Sequence, residues 1–165
     1  MTPLREVRTA RPADMPALAE IFWAAVQRGA APHYTQAQRD AWLPRALTAE
    51  EMAQRVAGQL VLVAEDHGQV AGFMSLRADG YLDLAYVLPE MRGTGLAGML
   101  LAVVENQAYA AKLDRLSTRA SALACPFFAR HGWQVVAPAP QVRAGITLPA
   151  TDMIRLIAPA FARSA

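Results

Sequence analysis

Cysteine is almost missing from this sequence: Cys125 stands alone, which excludes an intramolecular disulfide framework and leaves no cysteine pair or cluster at metal-ligand spacing. No metal site is expected, and a reducing compartment suits such a chain, so the expected location is cytoplasmic. Long hydrophobic runs are missing too. The longest, Leu96 to Val104, falls well short of the roughly 20 residues that a membrane span needs. The opening MTPLREVRTARPADM holds no apolar stretch able to act as the h-region of a secretory signal. No membrane partner is expected. Charge of one sign does not accumulate either: the net charge is +2, and the basic residues, almost all arginine, are spread along the chain without interleaved aromatics. Nucleic acid is therefore not an expected partner. There is no internal repeat, low-complexity segment or dividing linker.

What remains is ample core material. With 165 residues, 54% hydrophobic and 18% charged, the chain has the composition of one folded domain, residues 1–165, that needs neither disulfide nor metal to hold together. Glu6 to Thr9 can pair as a strand. Asp14 offers an N-cap oxygen to a helix over about 14–28, with Pro16 tolerated in the first turn and Met15, Leu18, Ala19, Phe22 and Val26 forming one buried stripe. Thr35 and Thr48 start shorter helices, separated near Pro44. From Leu60 the pattern becomes β-rich: two runs split at Gly68 make a hairpin, and Tyr81 to Leu88 is a third antiparallel strand ended by Pro89. A helix over 96–112 carries Leu96, Met99, Leu100, Val103 and Gln107 on one face and Leu101, Val104 and Ala108 on the next. Then come a strand at Arg115 to Arg119, a helix from Ser121 to His131 stopped by Gly132, and strands at Trp133 to Ala137 and Met153 to Ile157. Helices first, then a hairpin-built sheet, then β-α-β units predict an α+β fold with a mixed, mainly antiparallel sheet of six to seven strands flanked by helices.

The segment Tyr86-Val-Leu-Pro-Glu-Met-Arg-Gly-Thr-Gly-Leu-Ala-Gly98 places a strand, a turn and a glycine-rich helix start in succession. That succession makes an anion site. Unpaired N–H groups at a helix N-terminus point outward, the helix dipole adds partial positive charge, and glycines let phosphate oxygens come close. Gly93, Gly95 and Gly98 also match the dinucleotide fingerprint, but several elements precede them, Pro89 to Arg92 intervene, and Asp114 falls before the next strand rather than at its end. A glycine turn without ligand is the plain alternative. Nucleotide triphosphate binding lacks its Walker A lysine.

Arg92-x-x-Gly95-x-Ala97, preceded by Val87-x-Pro89 and followed by an apolar helix, resembles the signature motif of the GNAT (GCN5-related N-acetyltransferase) superfamily in its single-domain bacterial form. Downstream, Ser121-x-x-Ala-x-x-Phe-Phe-Ala-Arg-His-Gly132-Trp133 is similar to that family's Asn-x-x-Ala-x-x-Phe-Tyr-x-x-x-Gly-Phe segment, and Val7-Arg8-x-Ala10 with Asp14 is similar to its opening strand and helix. The resemblance runs from about residue 5 to 157, with Gly29 to Val56 covered only in outline. It implies a protein that binds acetyl-CoA and moves the acetyl group to a primary amine of a small molecule, peptide or protein by direct attack in a ternary complex. Dimers are common in the family, so a homodimer is an open expectation.

Carried over to these positions, Arg92, Gly93, Thr94, Gly95, Leu96, Ala97 and Gly98 would hold the pyrophosphate, Tyr86, Val87 and Leu88 would pair with pantetheine, and Ser121, Phe127 and Phe128 would line the cofactor site. Direct attack needs a neutral amine, an N–H donor for the oxyanion, near Val87 or Leu88, and a proton for the leaving thiolate. Phe128 stands where the family often has a tyrosine and has no proton to give, while Ser121 stands where an asparagine is common. A degenerate acyl-CoA-binding or sensing module is the rival reading. Asp83 is the candidate base, on a strand face with Tyr81 and Ala85, and the two are named as catalytic candidates; an exposed carboxylate without duty is the alternative for Asp83. His33, Tyr34 and Trp42, in the variable region, are candidates for the acceptor pocket, with packing as their other role.

Overall fold

The chain alternates between strands β1 (Arg5–Thr9), β2 (Leu60–Asp66), β3 (Gln69–Leu76), β4 (Tyr81–Val87), β5 (Arg115–Ser121), β6 (Gln134–Pro138), β7 (Gln141–Arg143), β8 (Ile146–Leu148) and β9 (Ala150–Leu156) and helices α1 (Met15–Ala24), α2 (Gln36–Trp42), α3 (Ala49–Arg55), α4 (Leu96–Ala110) and α5 (Cys125–Arg130). This computed structural model describes residues 4–157; residues 1–3 and 158–165, which the expected single domain includes, lie outside the described residues. Seven strands join in the order β1-β2-β3-β4-β5-β9-β6, and β7 with β8 forms a separate ribbon. Every pair in the large sheet is antiparallel except β4 with β5. The expected mixed, mainly antiparallel sheet is present.

Local chemistry explains the hairpins. His67 and Gly68 both have positive φ, 51° and 78°, the backbone that a two-residue turn needs to match strand twist. At the next turn Gly80 has φ 91°, and a Cβ there would lie 2.8 Å from the Arg115 carbonyl oxygen, so no side chain fits where β5 comes alongside. Thr35 and Thr48 start α2 and α3 as expected, and cap them through reciprocal bonds with Gln38 and Glu51.

The sheet separates two apolar layers. Leu62, Ala64, Met74, Leu76 and Leu82 pack with Leu96, Leu100, Leu101, Val104 and Ala108 of α4. On the opposite face Val61, Val63, Phe73 and Leu84 pack with Leu18, Ile21 and Phe22 of α1 and Met52 of α3. Strand alternation sends successive residues to opposite layers. Met99 and Gln107, assigned from periodicity to the packed surface of α4, are exposed instead.

Other boundaries also moved. Asp14 does not cap α1: its backbone is αR rather than extended, a 3-10 turn Pro12–Asp14 precedes the helix, and its carboxylate accepts from Arg8 Nη1 at 2.8 Å, Arg8 Nη2 at 3.0 Å and the Arg11 amide at 2.7 Å. A two-pronged guanidinium contact to a carboxylate outweighs a single bond to a helix amide. Arg8 also bonds Glu65 on β2 at 2.8 Å, so one guanidinium fastens the first helix to the sheet. The first helix continues beyond Ala24 as a π turn, Ala25–Gly29. The helix expected from Ser121 begins only at Cys125, because Ser121 still pairs with Ala150 as sheet and Ser121 Oγ then accepts from the Ala124 amide in a turn. β9 starts three residues earlier than expected, and the ribbon of β7 and β8 was read as mere connection because Pro140, Gly145 and Pro149 punctuate it. Among the described residues no helix is long and apolar enough to cross a membrane.

Burial raises the Asp14 pKa, but its bond to Arg8 is the larger influence and holds the group below the ordinary carboxylate value. A depressed folded pKa stabilises the fold above the unfolded value and loses that contribution as pH falls through the folded one. Asp14→Asn is expected to cost about 1–3 kcal/mol at pH 7, the usual range for a lost charged hydrogen bond. Urea unfolding at pH 7 and pH 3 checks this: the gap between variant and parent should be wide at pH 7 and narrow at pH 3.

Candidate functional site

β4 and β5 run side by side for only two pairs, Tyr81 with Ser117 and Leu82 with Thr118. Beyond that point β4 follows β3, while β5 follows β9 in register as far as Ser121. A gap opens in the middle of the sheet. Asp83 is an extra residue on β4, since Ser75 opposes Leu84 and Leu76 opposes Leu82. Because of this bulge Leu82 and Leu84 face opposite layers despite being two residues apart, and Ala85 packs toward α4 rather than sharing a face with Asp83 and Tyr81 as expected. The Leu88 amide donates to Ala71 O at 2.8 Å and the Leu88 carbonyl accepts from Met91 at 2.9 Å. Counting back along the antiparallel ladder, Tyr86 also faces β3, whereas the backbone groups of Ala85 and Val87 face the gap. Of Tyr86, Val87 and Leu88, then, only Val87 offers its main chain there, which corrects the equal treatment of the three.

The gap leads into the glycine loop. After a 3-10 turn, Pro89–Met91, the chain passes Gly93 at φ 71° and Gly95 at φ 87°, and α4 begins. The left-handed backbone at Gly95 calls for glycine, and a Cβ there would meet nothing within 4 Å, so the loop surface is open. Thr94 is exposed, but its polar groups are engaged: its hydroxyl donates to Met91 O at 2.6 Å, and its carbonyl accepts from Arg5 Nη1 at 2.6 Å. The first-turn amides of α4, at Leu96, Ala97 and Gly98, have no acceptor within the helix. The Leu96 side chain itself is buried in the core.

A groove of about 390 Å³ runs over this turn, lined by Val87, Arg92, Gly95, Gly98, Phe127 and Arg130 among others. Burial lowers the pKa of the Arg92 guanidinium, which lies across Gly29, where any side chain would collide with it. His131 stands at the same place: its Nδ1 is 2.9 Å from Phe127 O, its ring lies 4.5 Å from that of Phe127, and a Cβ on Gly98 would sit 3.2 Å from Nε2. Sequence reasoning placed His131 at a helix end and missed the groove. The four-residue step from Phe127, one helical turn, was the available signal.

A second cavity, of about 300 Å³, lies on the other side of β4. Ala85, Tyr86, Ala124 and Phe128 line both spaces, so they meet at a common wall. Phe128 is buried between Phe127 at 5.3 Å and Trp133 at 4.9 Å. Ser121 borders the cavity, its hydroxyl oxygen already accepting from Ala124. Phe22 stacks on Tyr86 at 4.6 Å, and Trp42 lies between Tyr34 at 5.3 Å and Tyr86 at 6.4 Å. Burial raises the Tyr86 phenol well above its ordinary value, so it stays protonated.

The candidates from the variable region divide. Tyr34 and Trp42 line the cavity, but Tyr34 is also a strut: its hydroxyl donates to Pro149 O at 2.5 Å and accepts from the Ala122 amide at 2.8 Å. His33 is exposed in a turn and lines neither space. Tyr81 borders the cavity with the Arg77 guanidinium 4.8 Å from its ring centre. Asp83 is committed elsewhere. Arg55 grips both its oxygens, Gln59 Nε2 donates at 2.8 Å, and Arg77 lies at 3.8 Å. Burial pushes this carboxyl up, but those partners outweigh it and the net displacement is downward. A carboxylate held ionised by two guanidiniums is a poor proton acceptor, contrary to the base role expected of it. Arg55, Arg119 and Arg143, which also line the cavity, were not singled out in the sequence. Among the described residues no group of three or more His, Cys, Asp or Glu side chains is placed to hold a metal.

Comparison with known proteins is consistent along the chain. A family model for the acetyltransferase (GNAT) domain matches residues 30–155. The chain is 33% identical over 132 residues to the uncharacterized N-acetyltransferase YafP of Escherichia coli (strain K12), spanning 79% of this chain and 82% of that protein. Among solved structures, a GCN5-related N-acetyltransferase from Rhodopseudomonas palustris superposes with a TM-score of 0.87 at 29% identity, covering 94% of this chain and 98% of the other. YncA from Salmonella typhimurium, solved with its cofactor acetyl-CoA, shares the fold at a TM-score of 0.70 and 24% identity, covering 94% and 95%. The open sheet, the glycine-started helix and these matches agree: the chain belongs to the GNAT family of acetyltransferases.

Proposed function

We propose that the chain is a single-domain N-acetyltransferase that transfers the acetyl group of acetyl-CoA to a primary amine by direct attack, both substrates being bound at once. The observation that carries this reading is the common wall of Ala85, Tyr86, Ala124 and Phe128, where the groove from the glycine loop meets the second cavity. One space takes the donor and the other the acceptor.

The residues fit the donor. Free amides at Leu96, Ala97 and Gly98 face a groove that also holds Arg92, Arg130 and His131, a suitable setting for a pyrophosphate. The gap beside Val87 offers backbone N–H and C=O groups to an amide-bearing arm, in the manner of an added strand. Acetyl-CoA supplies an acyl group activated as a thioester. The acceptor nitrogen bonds to the acyl carbon, the carbon–sulfur bond breaks, the nitrogen gives up its extra proton, and the sulfur leaves as thiolate to be protonated. The Ala85 and Val87 amides, which both face the gap, are the N–H groups available to stabilise the oxyanion, the Leu88 amide being already bonded to Ala71. Water can protonate the sulfur, since a free thiol has a pKa of about 8.5. Positive charge in the acceptor cavity lowers the pKa of a bound ammonium and favours the reactive neutral amine without a dedicated base.

Phe128 favours the second reading, a binding or sensing module without turnover, because its ring carries no proton to give to the leaving thiolate. Release of free thiol from acetyl-CoA against a panel of amines separates the two. Release that depends on amine establishes transfer, whereas coenzyme A binding with no release from any amine establishes the module.

Two variants test the site. Gly95→Asp puts a side chain on a left-handed backbone and a negative charge at the helix start, and should weaken coenzyme A binding by about a hundredfold or more; isothermal titration with unchanged affinity would remove the loop from the donor site. Phe128→Tyr introduces a phenol at the common wall and should raise the maximal rate of thiol release up to about tenfold, at the low end for a general acid. A large fall in that rate with the fold intact would mean that the ring serves packing alone.

A further inference from the structure

The acceptor cavity has one lining carboxylate, Asp83, against three lining guanidiniums, Arg55, Arg119 and Arg143. Asp83 is neutralised by Arg55 and Arg77, and Arg119 is paired with Asp152 at 2.9 Å. Arg143 differs from both. Its only hydrogen bond among the described residues is from Nη2 to Gln141 Oε1 at 3.3 Å, and it forms no ion pair with any of them. Adding Arg77 and Asp152 to the lining set leaves four positive charges against two negative ones.

Arg143 is exposed, but it lines the cavity from a definite place in the fold. It sits on the β7 and β8 ribbon, where alternation turns Gln141 and Arg143 toward the cavity and leaves Val142 69% exposed on the outside. The ribbon is fixed at two points, by Tyr34 Oη donating to Pro149 O at 2.5 Å and by Gln38 Nε2 donating to Thr147 O at 3.1 Å. Arg143 and Tyr86, a residue of the common wall, line the same cavity. A cavity of about 300 Å³, aromatic on one side and bordered by that ribbon on another, has room for a small molecule.

We propose that the acceptor is a small primary amine that also carries a carboxylate, an amino-acid-like molecule whose anionic group binds Arg143 while its nitrogen reaches the wall shared with the donor groove. This rests on the transfer reading above and names the substrate class for the same site. The cavity charge then has two effects. The carboxylate meets the one cavity-lining guanidinium that has no carboxylate partner among the described residues, and the remaining positive field disfavours the ammonium form of the nitrogen that must attack. A polycationic amine would face net positive walls.

The test measures amine-dependent thiol release from acetyl-CoA for free amino acids against the corresponding amino-acid amides, in the full chain and in Arg143→Gln, Arg143→Lys and Arg143→Glu. The parent is expected to prefer the acids by roughly tenfold or more in kcat/KM, Arg143→Gln to lose that preference, Arg143→Lys to retain part of it and Arg143→Glu to invert it toward the amides. Equal use of acids and amides by the parent, a preference kept in Arg143→Gln, or faster acetylation of peptide N-termini than of free amino acids would overturn the proposal. A thermal shift by amino acids in the presence of coenzyme A separates this failure from that of the transfer reading. If no amine releases thiol but amino acids stabilise the parent and not Arg143→Gln, transfer fails and the anion site stands. If neither signal appears, both fail.

Discussion

The site depends on the parting of β4 from β5 after two residue pairs. A continuous ladder would consume every backbone amide in the middle of the sheet. Here β4 is carried away by β3 and β5 by β9, so the backbone groups of Ala85 and Val87 are left facing open space. An unpaired strand edge inside a fold costs polar groups their partners. The chain meets that cost at the place where an amide-bearing ligand would restore the ladder, and the glycine loop at the end of β4 puts the start of α4 beside the same opening.

The bulge at Asp83 makes the parting useful on both sides. By adding one residue to β4 it sends Leu82 into the layer under α4 and Leu84 into the layer under α1, so the strand changes faces without leaving the sheet. Past the bulge Tyr86 faces Phe22 and Trp42, and Ala85 and Val87 face α4. The same few residues therefore wall two cavities. Asp83 stays at the bulge under the hold of Arg55, Gln59 and Arg77, where its charge fixes α3 to the sheet and moderates an otherwise strongly basic cavity.

Contacts distant in sequence set the shape of the second cavity. The Tyr34 hydroxyl joins the loop after the first helix to Pro149 and to the turn at Ala122, gathering three separate segments around one oxygen. Arg8 does similar work at the other end of the sheet, joining β1 to Asp14 and to Glu65. Trp42 on α2 and Arg143 on the ribbon both line the cavity that these contacts frame.

Much of this was legible along the chain, for local physical reasons. The turn at Gly68, the two threonine caps, the apolar width of α4 and the glycine-rich start of that helix each depend on residues within a few positions of one another, and their elements formed where the spacing indicated. The family resemblance rested on the same kind of short-range pattern. Asp83, His33 and the ribbon went the other way. Whether a carboxylate is a free base or one arm of an ion pair depends on Arg55, 28 positions away. Whether an arginine between Pro140 and Gly145 lines a cavity depends on a bond from Tyr34 to Pro149, 115 positions apart. Sequence alone determined the fold class and the glycine-started helix, because periodicity, turn backbone and helix ends are local. The tertiary structure decided which amides face the gap and which charges line the second cavity, because those are set by strand register and by long-range pairing.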